Sequence, residues 1–175
     1  MKKLLVLLLA ASMVLALAGC ALLPVLRYEF MEVEEVLKLP DDELIVALLM
    51  QLGDAEFATL TEAQKVVYTA AALEMEVLNG GLVQFLSNEG SHAAPYVLEA
   101  LEKIGATEHR ALLQDVLSQN GVNLAELSGF VTDDLDAFSA LYDRFDFDSF
   151  DSAYGGLPSM TDYIRTYIQA HADDF

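Results

Sequence analysis

Apolar residues recur along this chain at three- and four-residue spacing. The blocks they form are separated by short polar breaks, most of which begin with helix-starting residues and end with glycine or asparagine. The first block is different: Leu4 to Leu17 is an apolar run, interrupted only by Ser12, behind Lys2-Lys3. It is too short for an ordinary spanning helix and has the shape of a secretory signal. Val33 to Leu39 predicts a short helix. Pro40-Asp41-Asp42-Glu43 is a strong helix start, with proline tolerated in the first turn and acids at the positive end of the dipole. Leu44 to Leu52 is apolar on nearly all sides, which places this helix centrally, and Gly53 ends it.

Thr61-Glu-Ala-Gln64 has the capping-box pattern, in which each of the two polar side chains satisfies an orphan backbone amide. In the helix it starts, Val66, Ala70, Leu73 and Val77 form one row, with Val67, Ala71 and Leu78 beside it. Glu74 falls in that second row, on the apolar face, while Glu76 points elsewhere. A carboxylate so placed needs a partner or must sit at the rim of the face. Asn79-Gly80-Gly81 is predicted to close the helix, because asparagine and glycine adopt the left-handed terminal conformation cheaply. Leu82, Val83, Phe85 and Leu86 resume the apolar pattern for about two turns, and Ser87 to Ser91 is a second break.

A helix is predicted over 93–104, ended by Gly105, and another after a Thr107 cap, carrying Leu112, Leu113, Val116 and Leu117 to a stop at Asn120-Gly121. Asn123 to Ser128 is at most a short helix. Thr132-Asp133-Asp134 starts a helix whose buried face reads as Leu135, Phe138, Leu141 and Tyr142. Asp143 to Gly156 reads as an acidic, aromatic-rich loop, and Ser159-Met-Thr-Asp162 caps a last helix packed through Tyr163, Ile164, Tyr167 and Ile168. No period-two strand and no internal repeat appears. The pattern predicts an all-α fold: a single compact multi-helix domain over 40–175, behind a tether at 20–39 and a signal peptide at 1–19.

The end of the first block changes the picture of where the protein works. Leu17-Ala18-Gly19-Cys20 places two small residues before the chain's single cysteine, and this resembles the lipobox of bacterial lipoproteins. Lipidation at Cys20 would anchor the protein, since each buried methylene contributes about 0.8 kcal/mol. The expected location is the cell envelope, outside the cytoplasm, and the outer membrane in a cell that has one, because Ala21 rather than an aspartate follows the cysteine. With Cys20 lipidated no thiol remains for disulfides or cysteine catalysis.

Charge narrows the partners. The whole chain of 175 residues has nine Lys+Arg against 28 Asp+Glu. Loss of Lys2 and Lys3 leaves seven against 28, a formal net charge of −21. Such a domain repels nucleic acid and anionic head groups and attracts basic proteins or cations. Asp133, Asp134, Asp136, Asp143, Asp146, Asp148 and Asp151 form the densest acidic stretch and are a candidate partner surface. Their bland alternative is a solvated face.

Candidate chemistry is sparse. Glu74, Asn79, Gly80, Gly81, Gln84 and Asn88 form a polar joint between two apolar segments. It reads either as a ligand pocket or as groups that satisfy helix ends. The Asp143 to Asp151 segment raises calcium, but counting from Asp146 puts Asp151 at position six and Leu157 at position twelve, where an EF-hand needs glycine and glutamate. Glu89-x-x-His92 has di-iron spacing, but it crosses Gly90 and occurs once, and such sites need two copies. His109 and His171 have no second histidine in helical reach. No nucleophile elbow, P-loop or dinucleotide fingerprint is present, so no catalytic residue, metal or cofactor is assigned.

Glu74, Asn79-Gly80-Gly81, Gln84-Phe85, Asn88 and Gly90, with a helix ending Ile104-Gly105-Ala106, are similar to the signature of the DNA-mimic protein family. Leu141-Tyr-Asp and Tyr163-Ile-Arg-Thr-Tyr-Ile resemble that family's ending, so the similarity runs over roughly residues 40 to 172. The resemblance implies an all-helical fold and an acidic homodimer that binds a transcription factor in place of DNA. The lipobox places this chain elsewhere, so the function expected here is a membrane-anchored acidic domain that binds a basic protein or peptide. The alternatives are a small-molecule binder or enzyme using the joint, or a calcium-binding module.

Overall fold

The computed structural model describes residues 28–175. The expected signal peptide, the lipidation site Cys20 and the first part of the tether lie outside the described residues. Within them the chain forms eight α-helices and no strand: α1 Val33–Val36, α2 Asp41–Gly53, α3 Glu62–Asn88, α4 Val97–Lys103, α5 Thr107–Gln119, α6 Leu135–Arg144, α7 Asp148–Tyr154 and α8 Thr161–Ala170. Three-residue 3₁₀ turns join several of them.

Helix α3 is the axis of the domain; α2, α4, α6, α7 and α8 all pack on it. Its start is the predicted capping box, with the Thr61 side chain taking the Gln64 amide and the Gln64 side chain taking the Thr61 amide. By length and apolar character it could cross a membrane, but 67% of its most apolar window is buried by the rest of the domain. It is a core helix. Val66, Val67, Ala70, Ala71, Leu73, Leu82, Phe85 and Leu86 are fully enclosed. Burying each of the larger ones contributes about 1.5–3 kcal/mol, which outweighs the poor helix propensity of two adjacent glycines.

Those glycines close the first arm as predicted, and the break is a kink from which a second helical arm starts at once. Gly80 (φ −148°, ψ 19°) and Gly81 (φ 77°, ψ −178°) leave helical geometry, and a second arm of about two turns runs on at once to Asn88. The apolar residues of that arm face the same core as the first arm, so the chain re-enters a helix rather than a loop.

Other departures have equally local reasons. Residues 28–39, within the stretch expected as a tether, pack on the core, and the short helix expected at Val33 to Leu39 forms there as α1. Val36 and Leu39 are buried, Gln51 donates to the Tyr28 and Met31 carbonyls, and Arg165 donates to those of Leu37 and Leu39. The acidic aromatic-rich segment is not all loop. Seven of its residues form α7, because Phe150 and Tyr154, one turn apart, anchor it in the core. In α6 only Leu141 is buried; Leu135 is 83% exposed and Tyr142 is also exposed. Thr107 begins α5 without capping it. The cap expected at Ser159-Met-Thr-Asp162 does form, with the Ser159 hydroxyl accepting the Thr161 amide at the start of α8.

Candidate functional site

The joint residues separate into an inner and an outer set. The inner one is Glu74, 6% exposed on the first arm of α3. Its carboxylate accepts from the Tyr154 hydroxyl (2.8 Å), the Ser159 hydroxyl (2.8 Å) and the Met160 amide (3.2 Å). These donors come from α7 and from the turn before α8, so one carboxylate ties two segments to the axis. Burial pushes the Tyr154 hydroxyl well above its ordinary pKa, and the Glu74 charge adds to this. No lysine or arginine pairs with Glu74 among the described residues.

The outer set gathers on Glu76, which the sequence reading left out. Gln84 Nε2 donates to its Oε2 at 2.6 Å, and Asn88 Nδ2 donates to the same oxygen at 2.8 Å. Gln84 and Asn88 therefore face a carboxylate on the far side of the kink and do not converge with Glu74. Asn79 is exposed.

Between the two sets the backbone break is held by Asp151. Its Oδ1 accepts the Leu82 amide at 2.9 Å, an orphan donor at the start of the second arm. Any Cβ on Gly81 would lie 2.3 Å from Asp151 Oδ2, and φ there is positive, so glycine is needed twice over. Burial raises the Asp151 carboxyl above its ordinary value, and the Leu82 amide pulls it back. The Tyr142 hydroxyl donates to the Gly80 carbonyl at 2.8 Å, which docks α6 on the kink. Asp151, which the acidic stretch offers as a partner-surface residue, is half-buried and serves the joint instead.

The other six acids of that stretch are exposed: Asp133, Asp134, Asp136, Asp143, Asp146 and Asp148. Asp134 also caps α6 by accepting the Ala137 amide. The segment at Asp146 is fixed by Asn120, whose side chain both donates to the Asp146 carbonyl and accepts its amide. On α6, Asp136 and Asp143 share one face, two turns and about 10 Å apart. Leu135 and Tyr142 run beside them at the same spacing. The result is an acidic ridge with an exposed apolar edge, and Arg144 is its single basic residue.

Two grooves flank the joint. One, of ≈ 470 Å³, lies between α2 and α3 and is lined by Asp41, Asp42, Ile45, Val46, Glu74, Met75, Leu78, Asn79, Ser159 and Thr161. The other, of ≈ 240 Å³, is lined by Gln84, Asn88, Thr132, Asp133, Asp134, Leu135 and Phe138. The joint's polar residues thus open onto different cavities, and the second groove brings Gln84 and Asn88 against the acidic ridge.

Two titratable clusters lie elsewhere. Glu89, buried at the end of α3, meets His92 Nε2 at 2.8 Å and the Tyr68 hydroxyl at 3.3 Å. Burial raises the Glu89 carboxyl and pushes Tyr68 up to about 12. The Glu89-x-x-His92 spacing was the signal for this contact, a carboxylate–imidazole contact at a helix end. His109 is 1% exposed, edge-on to Tyr154 and Tyr163, and neither ring nitrogen has a hydrogen-bond partner of good geometry. Burial lowers its pKa against the pull of the Glu74 charge. Among the described residues no three His, Cys, Asp or Glu side chains group closely enough to hold a metal ion.

A family model described as DMP19-like protein matches residues 58–171. No curated protein and no solved structure matches the chain.

Proposed function

The chain belongs to the DMP19-like protein family, and we propose that it is an envelope lipoprotein, held to a membrane through lipid on Cys20, whose acidic ridge binds a basic protein or peptide. One observation carries this reading. Among the described residues, Lys and Arg form ion pairs with only Asp41, Glu62, Glu99 and Glu102 out of 28 Asp and Glu residues. Nearly all of the negative charge is therefore left for solvent or a partner, and its densest stretch sits beside exposed Leu135 and Tyr142. Family resemblance to DNA mimics supports a basic partner, and the lipobox-like Leu17-Ala18-Gly19-Cys20 supports a partner outside the cytoplasm.

The test is capture of envelope proteins on the full chain at 50 and 500 mM salt. The Debye length falls from about 14 to about 4 Å over that range, so a charge-driven partner should be released. Retention of every captured protein at the higher salt, or capture unchanged by neutralising Asp133, Asp136 and Asp143, would refute the reading.

A further inference from the structure

The groove between α2 and α3 is built from two unlike surfaces. Ile45 and Val46 on one side and Met75 and Leu78 on the other give it apolar walls, with Leu78 left 62% exposed at the mouth. The ionisable groups in the lining are all acidic: Glu74 at the floor, Asp41 and Asp42 at the rim. Asp41 is taken by Arg165, at 2.9 Å. Asp42 and Glu74 have no cationic partner among the described residues. Glu74 accepts three hydrogen bonds, one of them at Oε2, and a carboxylate has about four acceptor positions. One position at Oε2 remains.

We propose that this groove is the anchor pocket of the partner surface, taking one long basic side chain, lysine or arginine, from the basic protein. The methylene stem lies along Ile45, Val46, Met75 and Leu78, and the cationic head meets Asp42 and the free position on Glu74. Long basic side chains bury their stems on apolar surface while keeping the charge hydrated or paired. A neutral apolar side chain would leave the floor carboxylate without a cation, and a small cation would leave the apolar walls exposed. Position supports the pairing with the ridge. Asn79 lines the groove, and the next residue, Gly80, accepts the Tyr142 hydroxyl from the ridge helix. Groove and ridge therefore adjoin across the kink.

The inference rests on the basic-partner reading, and one experiment separates the two. The probes are n-pentylammonium, methylammonium, n-pentanol and a decalysine peptide, titrated into the full chain with methyl NMR of Ile45, Val46, Met75 and Leu78. Pentylammonium should shift these methyls saturably, while methylammonium and pentanol at equal concentration should not. Decalysine should shift the same methyls, and Leu78→Lys, an exposed change that leaves the core intact, should weaken decalysine at least tenfold. Decalysine binding with no groove shifts and no effect of Leu78→Lys overturns the pocket and leaves the ridge. Groove shifts with pentylammonium but no decalysine binding overturn the protein partner and show a small-cation site. Equal shifts with pentanol overturn the charge argument.

Discussion

Replacing Gly81 by alanine tests the joint on which the fold turns. With φ 77° and ψ −178°, Gly81 occupies a region that is essentially restricted to glycine, and a side chain there costs on the order of 1–3 kcal/mol. The new Cβ would also sit 2.3 Å from Asp151 Oδ2. Asp151 must move, and the buried Leu82 amide then loses its carboxylate acceptor, worth about 1–3 kcal/mol more. Gly81→Ala should therefore destabilise by roughly 2–6 kcal/mol, and Asp151→Ala alone by about 1–3 kcal/mol. In the double variant the clash is gone and the hydrogen bond is lost only once. Its cost should equal that of Gly81→Ala within about 1 kcal/mol and fall short of the sum. Gly53→Ala is the control. Its Cβ would make only an ordinary 3.7 Å contact with Tyr68 in a helical position, so it should be neutral or stabilise by up to about 1 kcal/mol. Urea denaturation of the four variants gives these values. A neutral Gly81→Ala, or strictly additive effects of Gly81→Ala and Asp151→Ala, would refute the joint as described.

Glu74→Gln keeps the shape but replaces one carboxylate oxygen by an amide donor, which faces either the Tyr154 hydroxyl or the Ser159 hydroxyl and Met160 amide, so thermal unfolding should show a loss of about 1–3 kcal/mol. His109 is buried with its pKa lowered, so the unfolded chain takes up a proton that the folded one refuses. Stability should fall as pH drops below the ordinary histidine value of 6.5. His109→Phe, which keeps the aromatic packing, should remove that part of the acid sensitivity in denaturation curves run from pH 7.5 to 5. Asp41 and Glu62, whose pKa values are lowered by Arg165 and Lys103, contribute stability lost only below their ordinary values of 3.8 and 4.5, outside that window. Leu135→Ala should change stability by less than about 0.5 kcal/mol because the side chain is 83% exposed, yet weaken capture of a basic partner.

Much of the frame was legible in the residues. The Thr61–Gln64 capping box, the acidic start at Asp41 and the row Val66–Ala70–Leu73–Val77 are local signals, and each element forms where they put it. Glu74 could be singled out because a carboxylate on an apolar helix face demands a partner. Which partner it finds was not legible: Tyr154 and Ser159 lie 80 and 85 residues away. The same holds for Asp151, which looked like one more surface acid and holds the Leu82 amide 69 residues off. Asn79-Gly80-Gly81 reads as a helix end because its chemistry is that of a helix end. Only the apolar burial of Leu82, Phe85 and Leu86 makes the chain go on. Helix α7 was hidden for a related reason, since seven residues with four acidic or small polar side chains have little helical tendency until Phe150 and Tyr154 are packed. Leu135 shows the opposite error. Its spacing fits the buried row of α6, but no neighbouring element covers that end of the helix.

The most direct test of the account compares two triple variants of equal charge change in binding labelled decalysine. One neutralises the ridge through Asp133→Asn, Asp136→Asn and Asp143→Asn. The other neutralises exposed acids far along the chain through Glu34→Gln, Asp54→Asn and Glu56→Gln. If the ridge is the partner surface, the first should lose at least tenfold in affinity at 50 mM salt and the second less than threefold. Equal losses in the two variants would show that overall charge, and not the ridge, attracts the peptide, and would contradict the account.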